Sequence, residues 1–290
     1  MPLFCYNIRM NKKTFLLIPL LTIVLCGCNN NKQVNRIIIV AGQSNAVGCT
    51  SLLGLKDYKE DVYDASKDGY DNILLSSYCD FHTASSEFEQ GLRQLEGYNA
   101  FGPEIGIAHK LSKRNKNEKF YILKTAWGGT SINSNWLKEG KRAYHYNISM
   151  DYLKSKLDEL KGKNIFIDSI TLCWMQGESD GSDEISAMKY QENETAIFNY
   201  FREDLAPYSN KVGIVDAFIS TLKGNRFAKD VNKAKLKVKR ELDDIKVIRT
   251  NGECIGALKL TFPEGENSHY DSKSMYKLGV AFAKKAQKLF

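Results

Sequence analysis

The sequence predicts an α/β fold of three layers, a five-stranded parallel sheet of flavodoxin-like topology sandwiched between helices. Three observations carry this. Short runs of β-branched and aromatic residues recur along the chain, and amphipathic stretches of helical length separate them. No internal repeat and no second polar linker interrupts the alternation.

The first strand is residues 37–41, IIIVA, apolar at every position as a strand buried on both faces should be. Residues 120–126, 168–176, 212–218 and 245–249 read as the second to fifth strands. Helices are expected over 103–114, 146–160, 183–204 and 226–243. Pro103, after Gly102, suits a first helical turn. Met150, Leu153, Leu157 and Leu160 form one apolar stripe. Met275, Leu278, Phe282 and Ala286 form another in a last helix over 272–290, with Asp271 as its N-cap. The stretch 49–99 is long and irregular and is expected to lie over the site. The basic run KAKLKVKRELDD keeps helical spacing of its apolar residues and is expected to be a solvated outer face.

With 290 residues, 43% hydrophobic and 26% charged, the composition is that of a globular protein. Residues 1–28 read as a signal peptide, with a basic start at Met10-Asn11-Lys12-Lys13. An apolar stretch of about 15 residues follows, short of the ~20 that span a bilayer. Leu25-Cys26-Gly27-Cys28 resembles a bacterial lipobox, which makes Cys28 the expected lipidation site. An exported protein is therefore expected, touching a bacterial membrane only through that lipid. Residues 29–36 are a linker, and 37–290 form one domain. Without the leader the chain has 38 basic and 34 acidic residues, too small an excess to argue for nucleic acid. Cys49, Cys79, Cys173 and Cys254 are scattered, without CxxC or metal-ligand spacing, so no metal and no cofactor are expected. Cys173 lies in an apolar run and reads as a buried thiol.

In open parallel sheets ligands bind beyond the carboxyl ends of the strands. The first three strands end in Gly42-Gln43-Ser44-Asn45, Trp127-Gly128-Gly129-Thr130-Ser131 and Gln176-Gly177-Glu178-Ser179-Asp180. With strand order 2-1-3-4-5 these polar turns converge on one crevice. Ser44 is the candidate nucleophile of an acyl transfer. The Ser44 N–H, one N–H of Gly128 or Gly129 and the Gln176 amide are candidates for an oxyanion hole. Gln43, Asn45 and Glu178 would support them, and Glu178 and Asp180 read as braces rather than pocket acids. The nucleophile elbow G-x-S-x-G is absent, because Ala46 stands where the second glycine would be.

Of the four histidines, His109 falls inside a helix, His145 at a helix start among tyrosines and His82 in the irregular stretch. His269 falls between the last strand and the last helix, at the active end of the sheet, and is the candidate base. Trp127, Trp136 and the tyrosines around Tyr144 are open between sugar stacking and core.

The blocks GQSNAVG, FGPEIGIA, KTAWGGTSI, WMQGESD and SHYDSKSMYKLG resemble, in order, those of the SGNH-type acetylesterases. The nearest branch holds sialate O-acetylesterases and carbohydrate esterase family six. The resemblance implies metal-free removal of acetyl groups from sugars, with an acetylated carbohydrate as partner. It assigns Ser44 as nucleophile, Gly128 or Gly129 and Gln176 to the oxyanion hole, and His269 as base. The family carries Asp three residues before its histidine, where this chain has Glu266. Either Glu266 completes a triad or the site is a Ser–His pair. A glycan-binding lipoprotein of the same fold without turnover is the alternative from another class.

Overall fold

A computed structural model describes residues 32–80, 88, 100–138, 143–221, 225–250 and 257–290. The leader with Cys28, and with it the export and lipidation expectations, lies outside the described residues, as do His82 and Cys254.

The body begins with strand β1 (Val34–Gly42), the short helix α1 (Ser44–Val47) and a two-residue strand β2 (Thr50–Ser51). Helices α2 (Leu52–Tyr58) and α3 (Glu60–Asp68), strand β3 (Ile73–Ser77) and the short β4 (Ala100–Phe101) follow. Then come α4 (Glu104–Ser112), β5 (Glu118–Ala126), a π-helical turn (Ile132–Trp136) and α5 (Tyr144–Gly162). The remainder is β6 (Ser169–Met175), α6 (Glu178–Ser182), α7 (Glu184–Leu205), β7 (Val212–Ala217), α8 (Ala228–Glu241), β8 (Ile245–Ile248) and α9 (Ser272–Ala286).

Six strands form one parallel sheet in the order β3-β5-β1-β6-β7-β8. The five expected strands stand in the expected order. The expected count is corrected to six, because Ile73–Ser77 adds an edge strand to β5. The expectation that 49–99 covers the site is corrected for 52–77 alone, since 81–87 and 89–99 lie outside the described residues. Residues 52–77 build α2, α3 and β3, and α2 and α3 join α4 and α9 in one helical layer. Helices α5, α7 and α8, with the π-helical turn, form the other layer. Among the described residues no helix is long and apolar enough to cross a membrane.

β1 is central, and from Ile37 to Ala41 its side chains are fully buried. Its register sets the site. Gly42 stands opposite Ala126 on one side and Met175 on the other, so β1, β5 and β6 end level. Gly42 has φ +138°, and a Cβ there would lie 1.9 Å from the Met175 carbonyl oxygen. Only glycine lets β1 leave the sheet so close to β6. A second close approach docks the last helix. A Cβ at Gly279 of α9 would lie 2.2 Å from the Pro103 carbonyl oxygen, so α9 and α4 cross nearly backbone to backbone.

One part of the basic helix α8 departs from the expected solvated face. Lys235 is fully buried, 2.6 Å from Asp216 Oδ1 of β7 and 3.1 Å from Glu194 Oε1 of α7. Burial and the Asp216 carboxylate push Glu194 up to about 8, and burial raises Asp216 to about 6. Against the pull of burial, the two acids hold Lys235 above its ordinary value. Two carboxylates share one ammonium in a dry site, so the surplus acid keeps a proton.

Two outcomes are expected. Gly42→Ala should lower stability by more than about 3 kcal/mol, because strain and clash add at a position with no room to relax; urea unfolding of the two proteins measures it. Glu194 binds its proton more tightly folded than unfolded. Its stabilising contribution is therefore complete below about 4.5 and is lost as pH rises to about 8. Glu194→Gln should flatten the stability profile across that window relative to the unsubstituted protein, as read from urea midpoints at several pH values.

Candidate active site

β1 delivers Ser44 to the carboxyl edge of the sheet as the first residue of α1. The preceding Gln43 is extended, and its N–H donates to the Met175 carbonyl at 2.9 Å. Its side-chain Oε1 accepts the Ser179 N–H at 3.2 Å and the Gly177 N–H at 3.4 Å. The turn after β1 is thereby tied to the turn after β6. Ser44 opens into a cleft of about 460 Å³ whose wall includes Gly128, Gly129, Glu178, Ser268 and His269.

Asn45, fully buried, joins this turn to the histidine loop. Its Nδ2 donates to the Ser268 carbonyl at 2.9 Å and to Glu178 Oε1 at 2.8 Å, and its Oδ1 accepts the Tyr270 N–H at 3.4 Å. Thr50 adds a hydroxyl bond to the Tyr270 carbonyl at 2.8 Å. His269 is therefore held from both sides, between two residues pinned to the turn that carries Ser44. Asp271 caps α9 immediately afterwards, its Oδ1 accepting the Ser274 N–H at 2.8 Å.

Glu266 places Oε2 3.4 Å from His269 Nδ1. Its other oxygen accepts the N–H groups of Ser268 and Asn267, both at 2.8 Å. Those two backbone bonds, with a smaller contribution from His269, hold the exposed Glu266 carboxyl below its usual range. The longer side chain thus reaches the imidazole while its own loop fixes it.

The candidate oxyanion donors divide. Among the described residues the N–H groups of Ser44 and Gly129 carry no hydrogen bond. The Gly128 N–H donates to Asp80 Oδ2 at 3.2 Å. Gln176 departs from the expectation. Its side chain is fully buried, and Nε2 donates to Asp180 Oδ2 at 2.5 Å and to the Thr130 carbonyl at 3.2 Å, while Oε1 accepts the Tyr190 hydroxyl at 3.0 Å. With Gln43 Oε1 a third acceptor at 3.5 Å, the amide is engaged within the protein, and in this arrangement Gln176 braces the three turns. Asp180 completes the brace by accepting the Ile132 N–H at 3.0 Å and the Asn133 N–H at 3.3 Å.

Glu178 is both brace and wall. Oε1 takes the Asn45 bond, while Oε2 is buried without a hydrogen-bond partner, and burial raises the carboxyl above its ordinary value. His109 bonds the Tyr276 hydroxyl at 2.7 Å, and His145 stacks beside Trp127 and Trp136, away from the cleft wall. Trp136 is core, with no exposed surface and its indole N–H on Thr130 Oγ1. Cys173 is buried, and burial pushes its thiol up. Cys49, the first residue of the stretch expected over the site, lines the cleft, as do Ser182 and Asn225, which sequence reasoning did not single out. Ser182 ends the helix that Glu178 begins, and Asn225 arrives through tertiary packing. Among the described residues no group of acids, histidines and cysteines could hold a metal.

Asn45→Ala should lower kcat for a small acetate ester tenfold to about a hundredfold, because an ångström of freedom in the histidine loop costs about that much. Steady-state kinetics beside a thermal unfolding curve measure it; a drop in stability with unchanged kcat would refute the positioning role.

A family model for carbohydrate esterases, described as sialic acid-specific acetylesterase, matches residues 34–288. An Arabidopsis thaliana protein of known structure aligns at TM-score 0.63 and 21% identity, over 89% of this chain and 100% of its own. NanS aligns at TM-score 0.60 and 15% identity, over 88% of this chain and 98% of its own. A carbohydrate acetylesterase from Xanthomonas citri aligns at TM-score 0.54 and 13% identity, over 87% of this chain and 56% of its own. These likenesses are of fold. No curated protein matches the sequence at a significant level. With the family match spanning nearly the whole body, the chain belongs to the sialic acid-specific acetylesterase family of carbohydrate esterases.

Proposed function

We propose that the protein is a serine esterase that removes O-acetyl groups from a glycan through an acetyl-enzyme. The observation that carries this reading is that Ser44 and His269 line one cleft, with the Glu266 carboxylate 3.4 Å behind the imidazole. Ser44 Oγ attacks the acetyl carbonyl while His269 takes its proton. The unoccupied N–H groups of Ser44 and Gly129 receive the negative charge on the carbonyl oxygen, a contribution worth about 3 kcal/mol of barrier for each well-placed donor. The imidazolium returns the proton to the sugar oxygen as the C–O bond breaks, leaving acetyl on Ser44. Water, deprotonated by His269, then releases acetate and restores the serine. Glu266 accepts a hydrogen bond from the Nδ1–H and stabilises the imidazolium as it forms, in the manner of a triad acid.

The resemblance to carbohydrate esterase family six and to sialate O-acetylesterases supports an acetylated sialic acid or a xylan-type glycan as substrate. A neutral glycan is the second reading, favoured by one observation: the described residues of the cleft wall include no Lys or Arg. A sialic acid carboxylate would need its cation from elsewhere. The charged leader and its Cys28 support export and lipid anchoring to a bacterial membrane.

Ser44→Ala should abolish acetate release from p-nitrophenyl acetate, and Glu266→Gln should lower kcat about tenfold, less than a buried acid would because water screens this one. A folded, unsubstituted protein that releases no acetate would favour a binding role, and full activity in Glu266→Gln would reduce the site to a Ser–His pair. Acetate release measured side by side on O-acetylated sialic acid and acetylated xylan separates the substrates.

A further inference from the structure

A concentration of unneutralised charge lies away from the Ser44 cleft, at the β8 edge of the sheet. A second cleft, of about 720 Å³, runs between β8 and α9. Its rim carries Lys239, Arg249, Lys259, Lys277, Lys284 and Lys285, and no acidic residue is among the described residues that line it. Among the described residues none of these six side chains enters an ion pair or a hydrogen bond. Other lysines of the protein behave differently: Lys138, Lys154, Lys156, Lys163 and Lys235 each hold an acid within 3.1 Å. The floor is apolar, made by Val247, Leu258, Val280 and Ala281.

Six like charges around one concavity repel one another and are stable only because water and salt screen them. Lys285 registers the crowding. Burial first, and then Lys288, Lys239, Lys246 and Arg249, lower its affinity for a proton. Protection of an edge strand against pairing with another chain is a common use of lysine. Lys246, within β8 itself, serves that purpose; the six around the cleft sit mostly on α9, α8 and the segment after β8.

We infer that this cleft is a second binding site, which holds the acidic chain of a polymeric glycan while an acetylated residue of that glycan occupies the Ser44 cleft. Charge complementarity selects an anion. The site is concave with its apolar atoms at the bottom, so a thin strand reaches the floor and a flat bilayer does not. It follows α9 from Tyr276 to Lys285, about 14 Å at 1.5 Å per residue. From β1 to β8 is three strand spacings, about 14 Å across the sheet. This inference rests on the reading of the protein as a glycan esterase, and its test separates the two.

The test uses the full chain and a charge-reversed variant, Lys259→Glu/Lys277→Glu/Lys285→Glu, with the neutral Lys→Gln triple variant as a milder control. Binding is measured by calorimetry to polysialic acid, to polygalacturonate, to neutral dextran, to phosphatidylglycerol vesicles and to a DNA duplex. p-Nitrophenyl acetate turnover reports folding and chemistry independently. The expected result is binding to an acidic polysaccharide that weakens steeply with salt, falls at least tenfold in both variants and is absent for dextran, with ester turnover unchanged. Unsubstituted protein that binds neither acidic polysaccharide, variants that bind as tightly as it does, or tighter binding to vesicles or DNA would each overturn the inference. Polysaccharide binding without any ester turnover would overturn the esterase reading and leave the second site standing.

Discussion

Everything at the catalytic end depends on one close approach, that of the Gly42 backbone to the Met175 carbonyl. Because no side chain stands between them, β1 turns out of the sheet level with β5 and β6 and starts a helix within two residues. Any other residue would push the strand ends apart and carry Ser44 away from the third turn. The Gln43 bonds to the Gly177 and Ser179 N–H groups then hold the gap closed. A steric demand at one α-carbon thus becomes the placement of a hydroxyl.

The second half of the site is brought in over a long sequence distance by a single amide. Asn45 has donors for the Ser268 carbonyl and Glu178 and an acceptor for the Tyr270 N–H, so it grips the histidine loop on both sides of the ring. Asparagine suits this because it offers both polarities on one short, rigid side chain. The Gln176–Asp180–Tyr190 group performs the corresponding service behind the turns after β5 and β6. Behind it in turn, Lys235 and its two acids join α7, α8 and β7. The polar interior is therefore layered: reactive groups at the cleft, amides beneath them, full charges deepest.

How much of this was legible beforehand follows from where the information resides. Strands β1, β5, β6, β7 and β8 were readable because burial on both faces demands continuous apolar runs. Their order followed from which turns carried chemistry. β3 was missed because ILLSS is short, partly exposed and lies in a stretch with few hydrophobic anchors; as an edge strand it needs only one neighbour. Lys235 was misread because a lysine on a helix looks the same whether it meets water or two carboxylates; the acids are 41 and 19 residues away. Gln176 sits in the turn where a donor was expected, yet its direction is set by Tyr190, 14 residues on, which no local pattern reveals.

The wide separation of the proposed reactive pair along the polypeptide has a temporal side. Ser44 is made early, and its imidazole partner is added 225 positions later, just ahead of a helix that must dock on α4 through Gly279. A nascent or unfolded chain carries an ordinary serine, no more reactive than any other alcohol. Under the proposed mechanism hydrolytic competence is switched on by completion of the fold itself, so the growing polypeptide is chemically inert.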